Sequence, residues 1–122
     1  MAVNFLQRHQ ELQNGFRKLR RADSDLMAGF TSLHAAAMAD GALPSRIKEL
    51  IALAVSITSH CDGCIAFHVH DAIRAGATRA EIEDAIGVAI MMGGGSAAVY
   101  ASDAMEALNQ FSEQLGQQPG RG

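Results

Sequence analysis

The residues most capable of catalysis or ligand binding lie between Glu49 and His68. Eleven residues separate Glu49 from Cys61, Cys64 follows three positions after Cys61, and His68 follows four positions after Cys64. Side chains three, four and seven residues apart share one face of an α-helix. The spacing therefore predicts two sulfurs and an imidazole along a single helical stripe.

Each of these side chains has a role in thiol redox chemistry. The thiolate is the reactive form of cysteine, and the free N–H groups and dipole of a helix N-terminus stabilise it. In Cys-X-X-Cys spacing, one sulfur can attack a substrate while the other resolves the intermediate as a disulfide. His68 can accept and return the thiol proton, and Glu49 would orient the imidazole if the two helices fold back on each other.

A metal site is the main alternative interpretation of the same residues. Two thiolates and one imidazole would supply three of the four ligands that zinc requires, with His60, His70 or Glu49 as the fourth. Structural zinc motifs usually bring a second Cys/His pair from a distant loop, and the sequence contains no such pair. We therefore expect redox-active thiols, with no metal and no cofactor.

The composition indicates a small globular protein. Its 122 residues are 48% hydrophobic, 19% charged and 5% aromatic, with no tryptophan, which suits one domain built from helices. The net charge of −3 argues against a nucleic-acid partner. We see no signal peptide and no uncharged apolar run of the roughly 18 residues that a membrane span requires, so the cytoplasm is the expected location and no membrane partner is expected.

Helical periodicity predicts an all-α fold, a compact bundle of about six helices. In chain order the expected helices cover about 4–21, 24–40, 44–57, 61–75, 78–92 and 96–115. Thr78 followed by Glu81 forms a capping box at the start of the fifth helix, and the glycines at 93–95 separate the fifth helix from the sixth. Residues 1–115 are predicted to form a single domain and residues 116–122 a flexible tail.

The pattern Glu-x11-Cys-x-x-Cys-x-x-x-His resembles the signature of the alkylhydroperoxidase D-like proteins of the carboxymuconolactone decarboxylase family. The flanking segments 46–55 and 75–82 agree with it, and the resemblance covers roughly residues 25–110. It implies a thiol-dependent peroxidase or disulfide reductase in antioxidant defence. A hydroperoxide or disulfide would be the substrate, and a dithiol protein would be the reductant.

The resemblance also implies a role for each site residue. Cys64 would form the sulfenic acid, Cys61 would act as proton donor and resolving thiol, and Glu49 and His68 would complete the proton relay. The helix-dipole argument instead favours Cys61, nearer the helix start, as the more acidic thiol. The order in which the two cysteines act therefore stays open at this point.

One departure from the family pattern concerns the two residues between the cysteines. Alkylhydroperoxidase D has a histidine there, whereas this chain has Asp62 and Gly63. An aspartate opposes ionisation of a neighbouring thiol, and glycine transfers no proton; His60 or His70 could take over the role. The alternatives are weak peroxidase activity, disulfide shuttling, a metal-binding or redox-sensing module without turnover, and a carboxymuconolactone decarboxylase-type enzyme.

The resemblance also bears on assembly. Family members of this size resemble single copies of a helical unit that forms trimers or hexamers. A small chain with many apolar helix faces buries too little surface alone, which points in the same direction. We therefore expect a homo-oligomer.

Overall fold

The computed structural model describes residues 3–116, and this part of the chain is entirely helical, which confirms the all-α prediction. It contains the helices α1 Phe5–Ala22, α2 Ser24–Met38, α3 Ser45–Thr58, α4 Asp62–Arg74 and α5 Arg79–Gln114. The predicted tail, 116–122, lies outside the described residues except for Gly116.

The described chain has five helices where about six were predicted, because the last two predicted helices form one interrupted helix. The interruption lies at Gly94, whose backbone angles are φ 72° and ψ −151°. Glycine reaches this region without steric penalty because it has no Cβ. The predicted break therefore exists as a kink inside α5.

Polar side chains fix the starts of three helices. The Asn4 and Asp23 side chains accept hydrogen bonds from backbone N–H groups at the starts of α1 and α2. Thr78 and Glu81 form the predicted capping box at the start of α5. Glu81 also pairs with Arg46 of α3, which ties the beginnings of α3 and α5 together.

The core lies where α3, α4 and α5 pack together, with the start of α1 against it. Helix α5 contributes a row of buried alanines whose small side chains allow close helix approach. The largest fully buried side chains are Phe5, Leu53, Ile57, Ile65, Val69, Ile82, Leu108 and Phe111. This packing holds α3 and α4 as rigid supports for the residues between Glu49 and His68.

A short connection folds α4 back against α3. The Ser59 N–H donates to the Val55 carbonyl at 2.8 Å, and the Cys61 N–H donates to the Ser56 carbonyl at 3.1 Å. His60 between them has a φ of 58°, the one positive value among the non-glycine residues described. The connection thus reverses the chain within a few residues and begins α4 at the cysteine motif.

Helix α2 contributes little to the core. Met27 is its one buried residue, whereas Leu26, Phe30 and Leu33 are 65%, 50% and 67% exposed. Further exposed apolar side chains lie on α3 and α5, among them Ile51, Val55, Val88, Met91, Met92 and Val99. We call this set, together with the exposed residues of α2, the apolar surface. Exposed apolar area of this kind is typical of protein contact surfaces.

Within the described range, α5 alone is long and apolar enough to cross a membrane by length and composition. The same helix supplies buried core residues, including Ile82, Ile86 and Leu108. A core helix of a water-soluble protein meets the same criteria. Its length and composition are therefore weak evidence for a membrane span.

Candidate active site

Cys61 and Cys64 form a disulfide at the N-terminus of α4. Their Cα atoms are 5.2 Å apart, within the ordinary range for a disulfide. Cys61 is the N-cap residue of α4, and its Sγ accepts a hydrogen bond from the Cys64 N–H at 3.1 Å. Both residues are half-buried. The pair therefore combines the stabilising field of a helix start with access from solvent.

Glu49 and His68 form a second pair, one helical turn beyond Cys64. Glu49 Oε1 lies 2.8 Å from His68 Nδ1, as the fold-back of α3 and α4 predicts. The Glu49 side chain is 8% exposed and that of His68 is 21% exposed. Because a carboxylate only accepts hydrogen bonds, this contact places the proton on Nδ1 and leaves Nε2 free to accept another.

The two residues between the cysteines, Asp62 and Gly63, both lie close to α1. A Cβ on Gly63 would lie 2.9 Å from Leu12 Cδ1, so the Leu12 side chain would have to shift to admit one. Asp62 is exposed, and its carboxylate lies 3.7 Å from the Arg8 guanidinium, which offsets part of its charge. Side chains of α1 thus lie beside both residues between the cysteines.

Most of the chain matches a known protein family. The model of the carboxymuconolactone decarboxylase family matches residues 24–107, close to the predicted 25–110. The chain belongs to this family. An uncharacterised protein of Cupriavidus necator is 38% identical over 112 residues, which are 89% of this chain and 99% of that protein. A protein of the cox locus of Paracoccus denitrificans is 41% identical over 91 residues, which are 75% of this chain and 82% of that protein.

Solved structures of carboxymuconolactone decarboxylase family proteins show the same fold. One from Legionella pneumophila superposes with a TM-score of 0.86 at 41% identity, covering 88% of this chain and 96% of its own. One from Thermotoga maritima gives a TM-score of 0.69 at 26% identity, covering 87% and 98%. An antioxidative response is the role suggested for the Thermotoga protein.

Two further histidines and a carboxylate lie beside the family motif. Asp71 Oδ1 lies 2.9 Å from His70 Nδ1, and the His70 ring stacks on the His9 ring with 4.3 Å between centroids. Asp71 falls three residues after His68, so helical spacing could have revealed it. His9 is buried against Phe67 and Phe111.

Two residues of α5, Tyr100 and Asp103, interact with residues in or next to the cysteine motif. The His60 ring stacks on Tyr100 at 4.7 Å with an angle of 8° between the planes, so this histidine is held against α5. Burial raises the pKa of Asp103, and the negative charge of Asp62 adds to the effect. These long-range contacts leave no periodic signal in the sequence.

Possible metal ligands occur in a different combination from the one considered from sequence. Cys61 and Cys64 are joined as a disulfide, whereas Glu49, His68 and Asp71 present ligand-type atoms within 4.8 Å of one another. Ligands on a tetrahedral zinc ion lie about 3.4 Å apart, as bond lengths near 2.1 Å dictate. Glu49 Oε1 and His68 Nδ1 lie closer than this, at 2.8 Å, which is the distance of a direct hydrogen bond between them.

His9 should make the protein less stable in mild acid. Burial lowers the pKa of His9 below 6.5, and the neighbouring His70 adds to this effect while Asp71 opposes it. Below pH 6.5 the unfolded chain therefore binds a proton that the folded chain resists, and the free energy of unfolding falls. In urea unfolding at pH 7.5 and 5.5, His9→Gln should show a smaller loss of stability on acidification than the unmodified protein.

The matched control is His34→Gln, since His34 is exposed on α2. The quantity to compare is the change in the free energy of unfolding between pH 7.5 and pH 5.5, because packing lost in a variant lowers that free energy equally at both pH values. An acid-induced loss as large in His9→Gln as in the unmodified protein would contradict the prediction.

Proposed function

We propose that this protein is a thiol-dependent peroxidase of antioxidant defence, cycling between a Cys61–Cys64 dithiol and disulfide. The observation that carries the proposal is the disulfide at the start of α4, with the Glu49–His68 pair one turn away. The antioxidative role suggested for the Thermotoga family protein supports the same chemistry.

The reaction has two oxidative steps and one reductive step. The Cys64 thiolate attacks a hydroperoxide, forming an S–O bond and breaking the O–O bond, so that an alcohol leaves and a sulfenic acid remains. The Cys61 thiolate then attacks the sulfenic sulfur, water leaves, and the disulfide forms. A dithiol protein supplies two electrons and two protons, restores both thiols and becomes a disulfide itself.

The surrounding residues serve proton transfer. His68 takes the thiol proton on Nε2 and returns it to the leaving oxygen, while Glu49 holds the ring through Nδ1 and stabilises the imidazolium. The Cys64 N–H stabilises negative charge on Cys61 Sγ, which suits Cys61 as the resolving thiolate. This division of roles follows the family resemblance for Cys64 and the helix start for Cys61.

Thiol counting tests the proposal. The fully reduced protein carries two thiols per chain, because the sequence has two cysteines. One equivalent of an organic hydroperoxide should lower this count to zero, release one equivalent of alcohol and yield a peptide linking Cys61 to Cys64 in mass mapping. Thiols that survive hydroperoxide but disappear with a disulfide substrate would identify a disulfide reductase instead. A protein pre-treated with iodoacetamide is the control.

We further propose that the protein acts in the cytoplasm as a homo-oligomer, a trimer or hexamer, joined through the apolar surface. Light scattering should then give a mass three or six times that of the chain. Leu33→Glu, at a position 67% exposed on α2, should lower this mass because a charge would be buried in the contact.

A further inference from the structure

A second set of titratable side chains lies directly beside the Glu49–His68 pair. Ligand-type atoms of Asp71 lie within 4.8 Å of those of both Glu49 and His68. Two hydrogen bonds of about 2.8 Å that meet at one water molecule span about 4.6 Å. Asp71 is therefore within one water of the relay already described.

Asp71 also contacts a second imidazole, that of His70. Its Oδ1 lies 2.9 Å from His70 Nδ1, and the two side chains are 33% and 20% exposed. On the other side, His70 stacks on His9 of α1 and meets the Phe111 ring of α5 edge-on at 5.4 Å between centroids. The described groups around His70 are thus one carboxylate, one imidazole and one apolar ring.

His9 and His70 have different surroundings. Burial and the neighbouring His70 lower the pKa of His9, which favours the neutral ring. His70 instead has a carboxylate partner, because Asp71 Oδ1 lies 2.9 Å from its Nδ1 and can accept a hydrogen bond from the ring N–H. The arrangement provides one proton-holding site separate from His68.

The oxidative half of the proposed cycle has a use for such a site. The thiol proton of Cys64 must reach the leaving alkoxide, and the thiol proton of Cys61 must reach the leaving hydroxide. His68 can hold one proton at a time, so a site in which both thiols are ionised together needs solvent or a second base for the other proton. His70 is a partly exposed base connected to His68 through a single carboxylate.

We propose that Asp71 links His68 to His70, so that the proton relay of the thiol site extends to a second imidazole that exchanges protons with solvent. The inference rests on the proposed peroxidase function and deepens it. Asp71 is a positioning and relay residue here, acting on the cysteines through His68. This role also supplies a second histidine to a motif that has none between its cysteines.

Histidine ring titrations test the link without any turnover. The ring C–H signals of the oxidised protein can be followed by NMR from pH 4.5 to 9, with His68 and His70 assigned from single His→Gln variants. Asp71→Asn should lower the midpoint pH of both rings, because the carboxylate that is lost lies within 4.8 Å of His68 and 2.9 Å from His70 Nδ1. The matched control is Asp84→Asn, on an exposed position of α5, which should move neither midpoint.

Single-turnover kinetics test the relay itself. In Asp71→Asn, disulfide formation after one equivalent of tert-butyl hydroperoxide should slow by about 10-fold. Added imidazole at 5–50 mM should restore most of the rate, since a free base can replace a missing proton path but cannot repair misplaced side chains. The unmodified protein should respond little to imidazole.

The outcomes separate the two proposals. An unmoved His68 midpoint in Asp71→Asn, or a rate loss that imidazole leaves in place, overturns the relay through Asp71. An unmodified protein that does not consume hydroperoxide refutes the peroxidase function, while the titrations still decide whether Asp71 links the two rings.

Discussion

Replacing Cys64 by serine should reduce hydroperoxide turnover to the uncatalysed rate. A serine hydroxyl stays protonated at neutral pH and forms no sulfenic acid, so both the attack on the O–O bond and the later disulfide are lost. Steady-state consumption of tert-butyl hydroperoxide, with a dithiol reductant in excess, measures the effect. The substitution keeps the size of the half-buried side chain, and circular dichroism should show unchanged helix content.

Cys61→Ser is the matched variant, because it keeps the attacking sulfur and removes the resolving one. It should consume one equivalent of hydroperoxide and stop at a sulfenic acid that dimedone traps at Cys64. If Cys64→Ser instead consumes the single equivalent and Cys61→Ser consumes none, the sulfur at the helix start is the attacking one. Full turnover in both variants would exclude the redox cycle altogether.

Removing the charge of Glu49 should cause the second largest loss. Glu49→Gln keeps the size of the side chain and its contact with His68, but a neutral amide does not stabilise the imidazolium that forms when His68 takes the thiol proton. We expect kcat/KM for hydroperoxide to fall by about 100-fold, the lower range for general acid–base catalysis. The loss should appear mainly in kcat, since the group acts on the transferred proton.

Glu83→Gln is the control for this experiment, because Glu83 is a half-exposed carboxylate on α5 paired with Arg79. It should leave kcat/KM unchanged. A Glu49→Gln protein with full activity would show that the imidazole needs no carboxylate partner. Urea unfolding of both variants separates a catalytic loss from a loss of folded protein.

The elements and the central site could be predicted from sequence because they depend on local periodicity. Cys64 and His68 lie four residues apart on α4 and Cys61 caps the start of that helix, so their proximity follows from the spacing alone. Glu49 required one further assumption, that the short connection after Thr58 reverses the chain, and its 2.8 Å distance to His68 agrees with that assumption. The family match to residues 24–107 confirms the family resemblance that this motif indicated.

Other features depend on contacts between distant segments and escaped prediction. The histidine stack needs α1 and α4 side by side, which no pattern within either helix indicates. The close approach of Gly63 to Leu12 likewise joins residues about fifty positions apart in the chain. Helix α5 was predicted as two helices, because a glycine run signals a break without telling whether the chain changes direction there.

The sulfur of Cys61 has two roles. It accepts a hydrogen bond from a backbone N–H in the first turn of α4, and it forms the disulfide with Cys64. When the bond is reduced and Cys61 ionises, the same atom becomes a negatively charged cap, a stronger acceptor for the Cys64 N–H. Whatever free energy favours that charge over a neutral thiol must equally strengthen the folded form of the reduced protein. A more acidic Cys61 thiol and a more stable folded form of the reduced protein are therefore two consequences of the same free energy.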